Sequence, residues 1–202
     1  ECIARDNEIR ALMELVNQYP LVTTLGPGGV GKTTLALKAA EQLAGGFPDG
    51  VWVVDLASVP DGSFVESAIM QVLGIPVRTE TTPLLAIVDM LRPLAGLLVL
   101  DNCEHVIHAV ANVVRSLVSD ATKLRIVTTS QVPLGLGGEH IFKLAPFGIE
   151  ATTEGGRSAA EMFLIHCCEA QGETLAIDEL PLVRQLCVRL DGVALALKMV
   201  AA

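Results

Sequence analysis

The chain has 202 residues, a formal charge of −9, a pI near 4.8, a 51% hydrophobic share and only 3% aromatics. That length suits one ordinary domain, or one domain with a small appendage. The acidic balance excludes a basic stripe for nucleic-acid phosphates, and so few aromatics leave no stacking platform, so direct nucleic-acid contact is not expected.

In chain order, four short apolar, β-branched runs read as buried strands: LVTTL (21–25), VWVVDL (51–56), LLVLD (97–101) and LRIVTT (124–129). IFKL (141–144) is a weaker fifth. Helical patterns lie between them at 32–44, 63–73, 83–92 and 103–118; in the last, Val106, Val110, Val113, Val114 and Leu117 share one face. This alternation predicts an α/β fold, a five-stranded parallel sheet with helices on both faces. After Pro146 the strands stop. GIEATTEGGR supplies turn residues, and helices are expected near 157–171, 179–190 and from 193 onward. The expected division is an α/β domain over 1–148 and a partial helical subdomain over 149–202. No apolar run approaches the ~18 residues that span a bilayer: GLLVL meets Asp101 and VALAL meets Lys198.

The loop between the first strand and its helix carries the strongest chemical signal. Gly26-Pro27-Gly28-Gly29-Val30-Gly31-Lys32-Thr33 matches GxxxxGK[ST] without a mismatch. Glycines at these places let successive amides converge on one anion, while the helix that follows points its positive end at the same spot. Lys32 would reach the β and γ phosphates, the Thr33 hydroxyl would ligate Mg²⁺, and Thr34 follows in the same turn. At ~7% glycine usage the fixed positions coincide by chance in roughly one chain of this length in a hundred.

Such a site needs a carboxylate at the end of a neighbouring strand to hold the metal through water. Asp101 ends LLVLD and suits that role; Asp55, ending VWVVD, reads as a strand-end turn residue. Asn102 stands where many hydrolytic proteins of this kind carry a second acid. An amide cannot take the attacking water's proton, and loss of a general base typically costs ~10²–10⁴ in rate. Glu104 could substitute, or could be a helix-start glutamate favoured by the dipole. Cys103, His105 and His108 do not share a helix face, which argues against a metal site; Glu104 and His108 read as an i, i+4 surface pair.

Cys2, Cys103, Cys167, Cys168 and Cys187 form no CxxC pair, and an odd count suits a reducing, cytoplasmic setting with all five as small buried hydrophobes. The chain starts at Glu1 without a signal peptide and VALALKMVAA stops without a cap, so a fragment of a longer protein is expected.

With these pieces the chain resembles the STAND class of regulatory P-loop NTPases, in particular the ATPase modules of large bacterial transcriptional regulators, cousins of the NB-ARC domains. IARDNEIRAL is similar to the opening motif, whose Arg5 would lie near the adenine. LVTTLGPGGVGKTTLA and LLVLDNCEH are close to the group's wording. IVTTSQVPLGLGGEHIFKLAPF is similar to a post-strand Thr-Ser-Arg signature, and LDGVALALKMVAA to a Gly-x-Pro motif opening a lid helix. The resemblance implies Mg²⁺ with ATP or ADP held between the sheet and a helical lid, ADP keeping the protein closed, ATP opening it, and slow hydrolysis acting as a timer. Lys32, Asp101 and Glu104 would carry the catalysis. Partners would be other domains of the same chain, with a nucleotide-dependent homo-oligomer left open and no membrane. Three departures stand out. Ala4 replaces a glycine. Gln131 replaces the arginine that senses the γ phosphate, and a neutral donor makes a weaker bond than a charged one. Ala194 replaces the lid proline and loses its fixed backbone angle. A small-molecule kinase and a module that binds nucleotide without hydrolysing it, or serves only in assembly, are the alternatives. The residues alone do not choose adenine over guanine.

Overall fold

The computed structural model describes residues 5–77, 80–150, 157–172 and 179–201. Five strands, β1 (Leu21–Leu25), β2 (Val51–Asp55), β3 (Leu97–Asp101), β4 (Arg125–Ser130) and β5 (His140–Lys143), form one parallel sheet in the order β2-β3-β4-β1-β5. Helices α1 (Asp6–Gln18), α2 (Lys32–Leu43), α3 (Val65–Leu73), α4 (Pro83–Leu91) and α5 (Ile107–Asp120) accompany it, with α6 (Ala159–Ala170), α7 (Leu180–Arg189) and α8 (Ala194–Val200) after the last strand. The α/β fold expected from the alternating pattern is the fold observed. α1 is an addition that the strand and helix pattern above does not include, with Ile9, Leu12 and Val16 buried along one side. The described residues of 7–26 and 32–143 form one compact unit and those of 1–6, 27–31 and 144–202 another.

In the larger unit β3 is buried along its whole length, as a central parallel strand must be. Its side chains alternate, so Leu98 and Leu100 join Leu21 and Ile126 in a core closed by Ile69 of α3, Ile87 of α4 and Val114 of α5. α2 packs on β1, β3 and β4 and buries Leu35, Ala36, Ala39, Ala40 and Leu43 on the opposite face.

Polar residues interrupt this apolar core at the carboxyl ends of the strands. Thr23 of β1 and Thr128 of β4 are fully buried, with hydroxyls 2.7 Å apart. Thr23 Oγ1 donates to Glu139 Oε1 at 2.6 Å, leaving Thr128 to donate to Thr23. The same carboxylate accepts the amides of Leu134 at 2.9 Å, Gly135 at 2.8 Å and Leu136 at 3.3 Å. The loop after β4 is thereby pinned to β1.

In the smaller unit Ser158 begins α6 with a reciprocal capping box: its Oγ accepts the Glu161 amide at 3.2 Å, and Glu161 Oε2 accepts the Ser158 amide at 2.8 Å. Arg184 of α7 donates to Glu161 Oε1 at 2.6 Å. Burial opposes ionisation of Glu161, but the Arg184 and Ser158 hydrogen bonds and nearby positive charge outweigh it, holding the carboxyl below its usual range. α7 ends in a left-handed turn at Asp191 (φ 49°) and Gly192 (φ 65°), and Phe147 donates its amide to Gly192 O at 2.9 Å. A Cβ on Gly192 would stand 2.1 Å from Phe147 O, an approach that only glycine permits.

Two expectations follow for stability. Gly192→Ala should lower thermal stability by about 1–3 kcal/mol more than Gly172→Ala, since both carry the left-handed strain but only the first meets backbone. Glu161 has a native pKa below its unfolded one, so its stabilisation is present above the unfolded value and lost as pH falls through the native one. Glu161→Gln should therefore lower the Tm at neutral pH, and the difference should close on acidification through the carboxylate range.

Candidate nucleotide site

The site in the larger unit is built at the carboxyl ends of β1, β4 and β3. β1 ends at Leu25, Gly26 donates its amide to Ser130 O at 3.3 Å, and α2 begins at Lys32. Lys32 is only 8% exposed, and its Nζ donates to Gly26 O at 2.9 Å. Thr33 Oγ1 donates to Asp101 Oδ1 at 2.9 Å.

Asp101 is not on the strand next to β1. β4 lies between, and its Thr129 fills the gap: the Thr129 hydroxyl donates to Asp101 Oδ1 and accepts the Asn102 amide at 3.0 Å. Asn102 Nδ2 donates to Asp101 Oδ2 at 3.0 Å. A carboxylate exposed by only 3% thus has donors on both oxygens, as a buried charge requires. Thr129 was legible only as part of a strand; the hint was a Thr-Thr-Ser ending on an otherwise apolar run.

Asn102 has φ 60°, a conformation asparagine adopts more readily than most residues. Its Nδ2 also donates to Asp55 Oδ1 at 3.1 Å. Asp55 makes the expected turn bond, accepting the Ala57 amide at 2.9 Å, and in addition carries this link to β3.

Glu104 departs from the expected surface pair with His108. It lies in a 3-10 turn (Glu104–Val106) that precedes α5, so it is off that helix's register, and its Oε1 accepts from Gln131 Nε2 at 3.1 Å. Its Oε2 is buried with no hydrogen-bond partner. His105 Nε2 lies 3.0 Å from Val59 O.

Cys103 is buried, with Sγ 3.2 Å from Leu100 O; burial first, then the Asp101 and Glu104 carboxylates, push its thiol pKa well up, leaving an inert thiol. Cys187 is likewise buried, its thiol pushed up to about 11 by burial and by Glu161. Cys167 and Cys168 are half-buried, less enclosed than expected. Cys2 and Ala4 lie outside the described residues.

The smaller unit holds the loop Pro27–Gly31 together with Arg5. The Arg5 guanidinium, 5% exposed, donates from Nη2 to Ala145 O at 2.8 Å and to Val30 O at 3.5 Å and lies 4.0 Å over the Phe147 ring. Gly29 has φ 73° and Gly31 φ 102°. Gly29 O accepts the Leu195 amide at 3.0 Å, beside Ala194, the first residue of α8. A Cβ on Gly29 would sit 3.0 Å from Leu195 Cβ. Gly28 and Thr34 are exposed.

The two buried threonines at these strand ends should respond oppositely to loss of the hydroxyl. Thr129→Val strips a donor from Asp101 and an acceptor from the Asn102 amide, and should cost about 1–3 kcal/mol in thermal or urea unfolding. Thr24→Val removes a buried hydroxyl that has no partner, and should be neutral or stabilising.

Comparison with known proteins gives the family and the fold. The chain is 33% identical over 99% of its length to "Uncharacterized protein Rv0894" of Mycobacterium tuberculosis, covering 50% of that protein. It is 36% identical over 93% of its length to "Putative HTH-type transcriptional regulator Rv0890c" of the same organism, covering 20% of it. The chain therefore spans half or less of these relatives. Among solved structures, a STAND protein (Signal Transduction ATPase with Numerous Domains) with a tetratricopeptide repeat sensor from Pyrococcus horikoshii superposes with TM-score 0.59 at 15% identity, over 95% of this chain and 29% of that one. Cdc6p from Pyrobaculum aerophilum gives 0.58 at 19% identity, over 72% and 46%. Both likenesses are of fold. The NB-ARC domain model matches residues 5–132, a span that holds every β1, β3 and β4 residue of the site, and the chain belongs to the NB-ARC domain family.

Proposed function

We propose that this chain is an ATP- and ADP-binding regulatory switch module with slow Mg²⁺-dependent ATP hydrolysis, working within a larger signalling or transcriptional regulator. The observation that carries the reading is the 2.9 Å bond from Thr33 Oγ1 to Asp101 Oδ1, which brings the first turn of α2 to the end of β3 beside the buried Lys32. Hydroxyl and carboxylate oxygens are the hard donors Mg²⁺ prefers, so Thr33 and Asp101 fit the metal by their chemistry. Bound there, Mg²⁺ would neutralise charge on the phosphate oxygens. Lys32 exchanges its bond to Gly26 O for the β and γ phosphate oxygens, at the amino end of α2 where the helix dipole favours an anion. The adenine assignment rests on the family, and the regulator context on the names of the M. tuberculosis relative and the P. horikoshii STAND protein.

A second reading, nucleotide binding without hydrolysis, is favoured by Asn102. Its amide donates to both Asp55 and Asp101 and cannot take a proton from water. The two readings share the binding site and differ in turnover.

Calorimetry with Mg-ADP should give a saturable heat that Lys32→Ala weakens at least about tenfold, or ~1.4 kcal/mol. Removal of Mg²⁺ with a chelator should weaken binding of the unsubstituted chain in the same experiment. Phosphate release from ATP should be slow and should vanish in Lys32→Ala; release that persists in that variant counts against the site. Normal binding with ATP intact after hours selects the second reading.

A further inference from the structure

Glu104 is held at one oxygen and bare at the other. Oε1 accepts from Gln131 Nε2 at 3.1 Å, while Oε2 is buried without a hydrogen-bond partner, three residues after Asp101. Gln131 is exposed and follows the last residue of β4, the strand whose Thr129 hydroxyl binds Asp101. A buried acceptor with no donor is completed by water or by a ligand that brings a donor. Resting on the hydrolytic reading above, we propose that Gln131 is a positioning residue: it fixes Oε1 of Glu104 so that Oε2 accepts a hydrogen bond from the water that attacks the terminal phosphate.

In that step the water oxygen bonds to the γ phosphorus while the bond from phosphorus to the bridging oxygen breaks. ADP leaves with the electron pair, and the water's proton passes to Glu104 Oε2 and from there to solvent. Asn102 takes no part as a base, since a carboxamide does not take the water's proton; its Nδ2 donates to Asp55 and Asp101 instead. The assignment differs from direct sensing of the γ phosphate by Gln131, in which the carboxamide would contact nucleotide and set the preference for ATP over ADP.

A double-mutant cycle separates these roles. Glu104→Gln, Gln131→Ala and the pair are compared by single-turnover ATP hydrolysis and by calorimetric Kd for ATP and ADP, with the Tm of each variant. Glu104→Gln should slow turnover by about 10²–10⁴, the range for loss of a general base. Gln131→Ala should slow it about tenfold, keep the ATP-to-ADP affinity ratio within about twofold, and add no further loss on top of Glu104→Gln. Full turnover in either single variant, multiplied losses in the pair, or a changed affinity ratio in Gln131→Ala overturns the assignment and leaves the hydrolytic reading standing. Nucleotide binding without turnover in the unsubstituted chain overturns both.

Discussion

A strand buried on both faces can end in a polar side chain only where each polar atom finds a partner, and that constraint organises the site. β1, β4 and β3 lie side by side, and each carries threonine, serine or aspartate within its last two residues: Thr24 on β1, Thr129 and Ser130 on β4, and Asp101 on β3. Thr129 on the middle strand both donates to Asp101 and receives the Asn102 amide. It makes a carboxylate tolerable at a depth where an unpaired charge is not, and Thr33 at the start of α2 completes the set.

Charge balance explains the residue at 102. Asp55, Asp101 and Glu104 cluster at the ends of β2 and β3. Aspartate at 102 would add a fourth negative charge, and glycine would satisfy the left-handed backbone but supply no amide. Asparagine accepts φ 60° and bonds both neighbouring carboxylates. The feature that removes a candidate base is thus also the one that keeps Asp55 and Asp101 together.

Much of the fold was legible because each strand is a short apolar, β-branched run between turn residues; β1 and β3 coincide with their expected bounds, and β2, β4 and β5 shift by a residue or so. The strand order was not legible, since hydrophobicity reports that a strand is buried but not what it pairs with. That is why Asp101 was expected on a strand adjoining β1. α1 was hidden by the charges of DNEIR, although Ile9, Leu12 and Val16 keep helical spacing. Around the site, the phosphate-loop pattern and Asp101 stood out in the sequence. The Thr129 bridge and the Glu104–Gln131 bond depend on neighbours 28 and 27 positions apart in the chain, and a 3-10 turn set Glu104 off the register assumed for a regular helix.

Glu139 has a mechanical consequence. One carboxylate grips three successive amides and a hydroxyl of the sheet, like a rivet through two plates. The segment from Leu134 to Glu139 therefore borrows the stiffness of β1 instead of behaving as a slack tether. Any force that drags on it is delivered to the strand that leads into the glycine-rich turn.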